Sequence, residues 1–173
     1  MKKGLLILVG IFGLFITGCA AEKGEYKEGL YFGFDADNGV TATVSIDANG
    51  NIAGVMIDSA YHKDCKIVDD KASCTDVTKR MLGEDYNMAR EEGQLEWYEQ
   101  ADAFAKRVVK DQNLDFVEYK YRKTEEDGSY VFYSTAEEED TKEDKIFMDS
   151  VSGVTITVDG MYNAVNNALK NAK

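Results

Sequence analysis

Apolar and polar positions begin to alternate at about residue 30. In VTATVSI, Val40, Ala42, Val44 and Ile46 are separated by Thr and Ser. Asn38-Gly39 precedes that run and Asn49-Gly50 follows it, with IAGVMID beyond. A period of two punctuated by Asn-Gly predicts hairpins, because Asn and Gly tolerate the positive φ of tight turns. Residues 30–58 are therefore predicted to form a three-stranded antiparallel meander with one buried face.

The alternation then lapses. Residues 59–75 read as a polar loop carrying Cys65, Cys74 and the only histidine, His62. Thr75 or Asp76 is expected to cap a short helix through Leu82, stopped by Gly83. The stretch EDYNMAREEGQ, residues 84–94, looks irregular. From Gln94 the period lengthens: Leu95, Tyr98, Ala101, Ala105, Val108 and Val109 recur at three- and four-residue steps, the mark of an amphipathic helix running to about Gln112. Tyr98 falls on its apolar face and Trp97 beside it, partly exposed. Two tyrosine-rich strands joined at Asp127-Gly128 are expected over 116–134, then a solvated acidic loop, TAEEEDTKEDK. Met161, Val165, Ala168 and Leu169 line one side of a C-terminal helix. No repeat and no internal boundary interrupts this pattern. The predicted fold class is α+β: an antiparallel β-sheet (hairpin meander) packed with two or three helices, one domain over residues 30–173.

The N-terminus has a different character. Lys2 and Lys3 precede an apolar run from Leu5 to Ile16, and Thr17-Gly18-Cys19 closes it with small residues. About 12 apolar residues are short for a hydrocarbon core of roughly 30 Å. The stretch reads as a lipoprotein signal peptide, residues 1–18, with Cys19 as the lipidated first residue of the mature chain; a short transmembrane anchor is the alternative. Residues 19–29 then serve as a tether, which places the domain on the extracytoplasmic face of a bacterial membrane. The eight apolar residues before Cys19 also resemble the peptide pheromones released from such signal peptides. Without residues 1–18, 18 basic residues face 32 acidic ones, a net charge of −14. That sign disfavours nucleic acid and adhesion to anionic lipid. Outside the cytoplasm, Cys65 and Cys74 suit a disulfide better than two free thiols. With His62 they would make three ligands, short of a structural metal site.

Side-chain chemistry is sparse. There is no Gly-x-Ser-x-Gly, no convincing partner for a catalytic serine, and no glycine-rich nucleotide loop. Any chemistry would come from a cofactor. The stretch MDSVSGVTITVDG, residues 148–160, is the strongest candidate to hold one. Ser152-Gly153 permits a tight turn whose N–H groups can face an anion, and a helix N-terminus follows. Thr155 and Thr157 place hydroxyls beside it. The alternative is a turn leading into a strand, VTITV.

Asp149-x-x-Ser152-Gly153-Val154-Thr155 resembles the Asp-x-x-Ser/Thr-Gly-Ala-Thr motif of the FMN-binding domain family, with Val154 where alanine is usual. That family includes flavin subunits of the sodium-pumping NADH:quinone reductase and the Rnf complex, and lipoproteins of extracellular electron transfer. TKRMLGEDYNM, LEWYEQADAFAKRVV and VDGMYNAVNNAL are similar to segments of its Gram-positive pheromone-type lipoproteins. The resemblance implies that a flavin transferase, using FAD and Mg²⁺, esterifies the Thr155 hydroxyl with the phosphate of FMN. Asp149, Ser152 and Gly153 would complete the recognition turn. It further implies electron exchange with a membrane quinol or a membrane redox partner. Tyr86, Met88 and Trp97 are candidates for the flavin wall, and Gln100 for a hydrogen bond to its edge. The alternative is a non-redox binding module that keeps the fold without flavin.

Overall fold

The computed structural model describes residues 24–124, 130–133, 144–149 and 151–173. Cys19, the signal segment, the Asp127-Gly128 turn and most of the acidic loop lie outside the described residues. Four antiparallel strands form the main sheet in chain order: β1 (Gly29–Asp35), β2 (Val40–Ile46), β3 (Ile52–Val68) and β4 (Lys71–Thr78). A short helix α1 (Lys79–Leu82), a 3₁₀ turn (Gly83–Tyr86) and the main helix α2 (Trp97–Asp111) follow. A second sheet of order β6-β5-β7 comprises β5 (Val117–Thr124), β6 (Tyr130–Tyr133) and β7 (Asp144–Asp149). Helix α3 (Asp159–Asn171) ends the fold.

The predicted meander is present, with Val40 opposite Asp35 and Ile46 opposite Ile52. Its turns use the expected glycines, Gly39 at φ +61° and Gly50 at φ +83°. Asp47 reinforces the second turn by accepting N–H bonds from Asn49 (2.8 Å) and Asn51 (2.9 Å). The even residues of β2 are buried with Ile52 and Ile57 beneath α2 and α3, and this layer is the core.

Residues 59–75 are not a loop. β3 runs on to Val68 and pairs with β4 in a long hairpin arm, turned at Asp69 and Asp70 with φ of +50° and +60°. Aspartate tolerates positive φ less readily than glycine, so this turn lacks the usual signature. The arm is exposed on both faces, which also removes the alternation. Cys65 and Cys74 are joined across it by a disulfide. His62 sits on β3 and not in a loop, 2.9 Å from Asp76.

The short helix is capped by Thr78, whose side chain accepts from the Met81 N–H at 3.1 Å, and not by Thr75 or Asp76, which belong to β4. Helix α2 starts at Trp97, after the Glu96 N–H donates to the Glu99 carboxylate at 2.9 Å. Leu95 thus falls outside the helix, and Trp97, Ala101, Phe104, Ala105 and Val108 form the buried face. The expectation for its first turn is reversed: Trp97 is core at 3 % exposure and Tyr98 is only half-buried. The acidic stretch after residue 134 also conceals a strand, β7, which pairs with β5.

Helix α3 lies on β1 through Gly33, where an added Cβ would stand 1.9 Å from the Ala164 carbonyl oxygen. Asn163, Asn167 and Asn171 recur every fourth residue along it, and the last two reach backbone carbonyls of β1. Asn167 Nδ2 donates to the Phe34 carbonyl at 3.0 Å and Asn171 Nδ2 to the Phe32 carbonyl at 3.4 Å. Among the described residues no helix is long and apolar enough to cross a membrane.

Candidate functional site

Residues 151–158, which lead into α3, form a turn and a loop, not the strand VTITV. Val154 N–H donates to the Val151 carbonyl at 3.2 Å, closing a β-turn over Ser152 and Gly153. Gly153 has φ +90°, the left-handed value that the third position of a type II turn requires. A Cβ there would also meet Leu95 Cδ1 at 2.7 Å. Val154 packs half-buried against the core, so the branched side chain finds room. Asp149 is the last residue of β7, opposite Val117.

Thr155 leaves this turn exposed, held by its backbone. Its N–H donates to Gln100 Oε1 at 2.9 Å, and its hydroxyl donates to the same oxygen at 3.4 Å. Gln100 is 1 % exposed on the buried side of α2. Its Nε2 donates to the Leu95 carbonyl at 2.9 Å and to Met88 Sδ at 3.4 Å. The carbonyl acceptor at Leu95 fixes which end of the amide is which, so Oε1 faces Thr155. The polar atoms of Gln100, proposed from the sequence to meet a ligand edge, are thus engaged with Thr155, Leu95 and Met88 and position the loop.

Beside Thr155 lies a cavity of about 210 Å³, lined by Asn38, Val40, Lys79, Met88, Trp97, Ile156, Thr157, Gly160 and Met161. Met88, Trp97 and Thr157 are brought together there as the sequence suggested. Gly160 and Met161 belong to the first turn of α3, so the positive end of that helix lies at the wall. Val158, at its N-cap, has no side-chain oxygen to cap the turn. Tyr86 lines an adjoining hollow of about 430 Å³ with Tyr61, Asn87, Met88 and Arg90.

Two contributors were missed in the sequence. Lys79 Nζ stands 5.2 Å from the centroids of both Tyr86 and Trp97, a cation between two aromatic rings. Glu96, only 6 % exposed, accepts the Met88 N–H at 3.0 Å and the Ala89 N–H at 3.1 Å, which fixes the irregular stretch carrying Met88. Lys79 had a signal, its place at the start of TKRMLGEDYNM. Glu96 looked like one more solvated carboxylate. Among the described residues no group of three or more His, Cys, Asp or Glu side chains is placed to hold a metal ion.

A site with apolar walls, a few polar groups, one cation and an exposed threonine beside a helix N-terminus suits an amphipathic ring bearing a phosphate. A family model described as FMN-binding domain matches residues 37–170. That is most of the chain, and the chain belongs to the FMN-binding domain family. No curated protein and no solved structure matches it. The residues present fit the flavin chemically: Met88 and Ile156 offer apolar surface backed by the buried Trp97 and Met161, while Asn38, Lys79 and Thr157 offer polar contacts. The two hollows share Met88 and jointly reach the roughly 300–1,000 Å³ of small-molecule sites.

Proposed function

We propose that this protein is a membrane-anchored, extracytoplasmic flavoprotein that carries FMN as a phosphoester on Thr155 and transfers electrons. The observation that carries the reading is Thr155 itself. The residue is exposed to an incoming enzyme while its backbone is fixed from a buried residue on another element. A glycine turn precedes it, and the next two residues, Ile156 and Thr157, line the cavity.

In the modification, Thr155 Oγ1 forms a bond to the FMN phosphorus of FAD, the pyrophosphate linkage breaks, and AMP leaves. The hydroxyl proton passes to the flavin transferase, which binds Mg²⁺. The Oγ1–H bond to Gln100 is thereby lost, but the Thr155 N–H bond survives, so the loop stays anchored. When bound, the flavin supplies exchange of one or two electrons between a membrane quinol or redox partner and an acceptor.

The chain's own residues supply place and surroundings. Met88 and Ile156, backed by the buried Trp97, offer surface against which a ring excludes water. Lys79 places positive charge at the cavity wall. The acidic exterior of the domain selects partners and sets encounter rates. A lipid on Cys19 and an ester on Thr155 answer the same need, retention outside a cell.

The test is co-expression of the chain with a flavin transferase. Yellow fluorescence that persists in the denatured chain is the expected result. A colourless chain from cells with active transferase would favour the non-redox binding module.

A further inference from the structure

The outer face of the main sheet is apolar where an isolated sheet in water would be polar. Leu30, Phe32 and Phe34 alternate along β1 and are 73 %, 60 % and 49 % exposed. Met56 on β3 is 55 % exposed, in the same cross-strand row as Phe32 through Thr43 of β2. Directly paired residues share a face of a sheet, so Thr41, Thr43, Ser45 and Gly54 complete this one. Asp58, at one end, is engaged with the N–H groups of Ser59 and Arg80. On so acidic a chain, a face whose paired rows carry a charge only at Asp58, at one end, calls for an occupant.

We infer that this face lies on the lipid surface, turned toward the membrane by the anchor. The inference rests on the lipidated-Cys19 reading above. Gly24 N–H donates to the Asn49 carbonyl at 2.8 Å, and Tyr26 N–H to the Gly50 carbonyl at 3.3 Å. The chain after Cys19 is thus bound to the β2–β3 turn from residue 24 onward. Five residue steps separate Cys19 from Gly24, which at about 3.6 Å each allow a reach of at most about 18 Å. The β2–β3 turn lies at the end of the sheet that carries Leu30, since Leu30 pairs with Ser45, and Ser45 with Gly54. A tether that short holds this end of the face against the bilayer.

Competing occupants fit less well. At about 150–250 Å² for a large side chain, the four exposed residues offer roughly 350–600 Å², short of the ~800 Å² per partner in a stable complex. Addition of a strand at β1 is opposed because Asn167 and Asn171 already occupy its edge carbonyls. Phe and Leu at the boundary between headgroups and acyl chains need no such area, because the anchor supplies the affinity and the face supplies orientation.

The test places an environment-sensitive fluorophore at Thr43→Cys, in the middle of the face, and in a separate chain at Lys106→Cys, exposed on α2. Each mature chain is studied in phosphatidylcholine vesicles in two forms, cell-made with its own Cys19, and as Cys19→Ser with an N-terminal histidine tag held on a nickel-chelating lipid. In both forms, emission from position 43 should shift to the blue and be quenched by bromolipids several-fold more than emission from position 106. The triple variant Leu30→Ser/Phe32→Ser/Phe34→Ser should lower the quenching at position 43 at least threefold. Equal quenching at the two positions in the tagged form overturns the inference. A blue shift that grows with protein concentration without lipid quenching also overturns it, assigning the face to a second copy. Quenching in the tagged form, together with a cell-made chain whose mass shows no lipid, refutes the Cys19 anchor while leaving the face to the membrane.

Discussion

Gln100→Met isolates the part of the site that belongs to this chain alone. Methionine keeps the length and apolar volume of the buried side chain but removes the acceptor for Thr155 and the donor for Leu95. Two bonds of 2.9 Å are lost. Each contributes about 1 kcal/mol net, so the domain should be destabilised by about 2 kcal/mol. For a domain of this size that lowers Tm by roughly 4–8 °C. The loop then relies on its 3.2 Å turn bond, Val154 N–H to Val151. If about 1.4 kcal/mol of the lost energy was holding Thr155 ready, FMN incorporation slows about tenfold. The assay is the rate of FMN transfer from FAD by purified transferase, run well below the melting range, beside a thermal melt of the same chain. A lower Tm with an unchanged transfer rate would refute the positioning role and leave Gln100 a structural residue. No change in either would refute the hydrogen-bond network.

Gly153→Ala puts a Cβ 2.7 Å from Leu95 Cδ1 at φ +90°; it should cost about 1–3 kcal/mol and slow FMN incorporation together, read by melt and transfer rate. Gly33→Ala places a methyl 1.9 Å from the Ala164 carbonyl; α3 must move off β1, and thermal melts should show a loss of at least about 3 kcal/mol. Burial, helped by a hydrogen bond to Glu25, pushes the Tyr26 phenol up to about 12. The folded state therefore holds a proton that the unfolded chain releases near 10, so stability should be intact below pH 10 and fall as pH rises toward 12. Tyr26→Phe should flatten that decline in urea melts taken across the window.

What was legible in the sequence followed local rules. The meander was readable because Val40 to Ile46 alternate between Asn-Gly turns, and α3 because its apolar residues keep a helical period. The long β3–β4 arm was not, since a strand exposed on both faces has no alternation and its turn is Asp69-Asp70. The face of α2 was misjudged by one residue because Leu95 fits the helical period yet lies before the helix, displacing the reading from Trp97 to Tyr98. At the site, the Ser152-Gly153 turn and the cavity residues Met88, Trp97 and Thr157 could be named in advance. The roles of Gln100, Lys79 and Glu96 depend on contacts between elements distant in the chain. Gln100 meets Thr155 across 55 positions, and no pattern within either segment encodes that meeting.

The central claim is the ester on Thr155. It is tested most directly by intact mass of the chain co-expressed with a flavin transferase, beside Thr155→Ala made in the same cells. The account predicts a gain of one FMN phosphoryl group in the native chain and none in the variant. An unmodified mass in both, or the same gain in both, would contradict it.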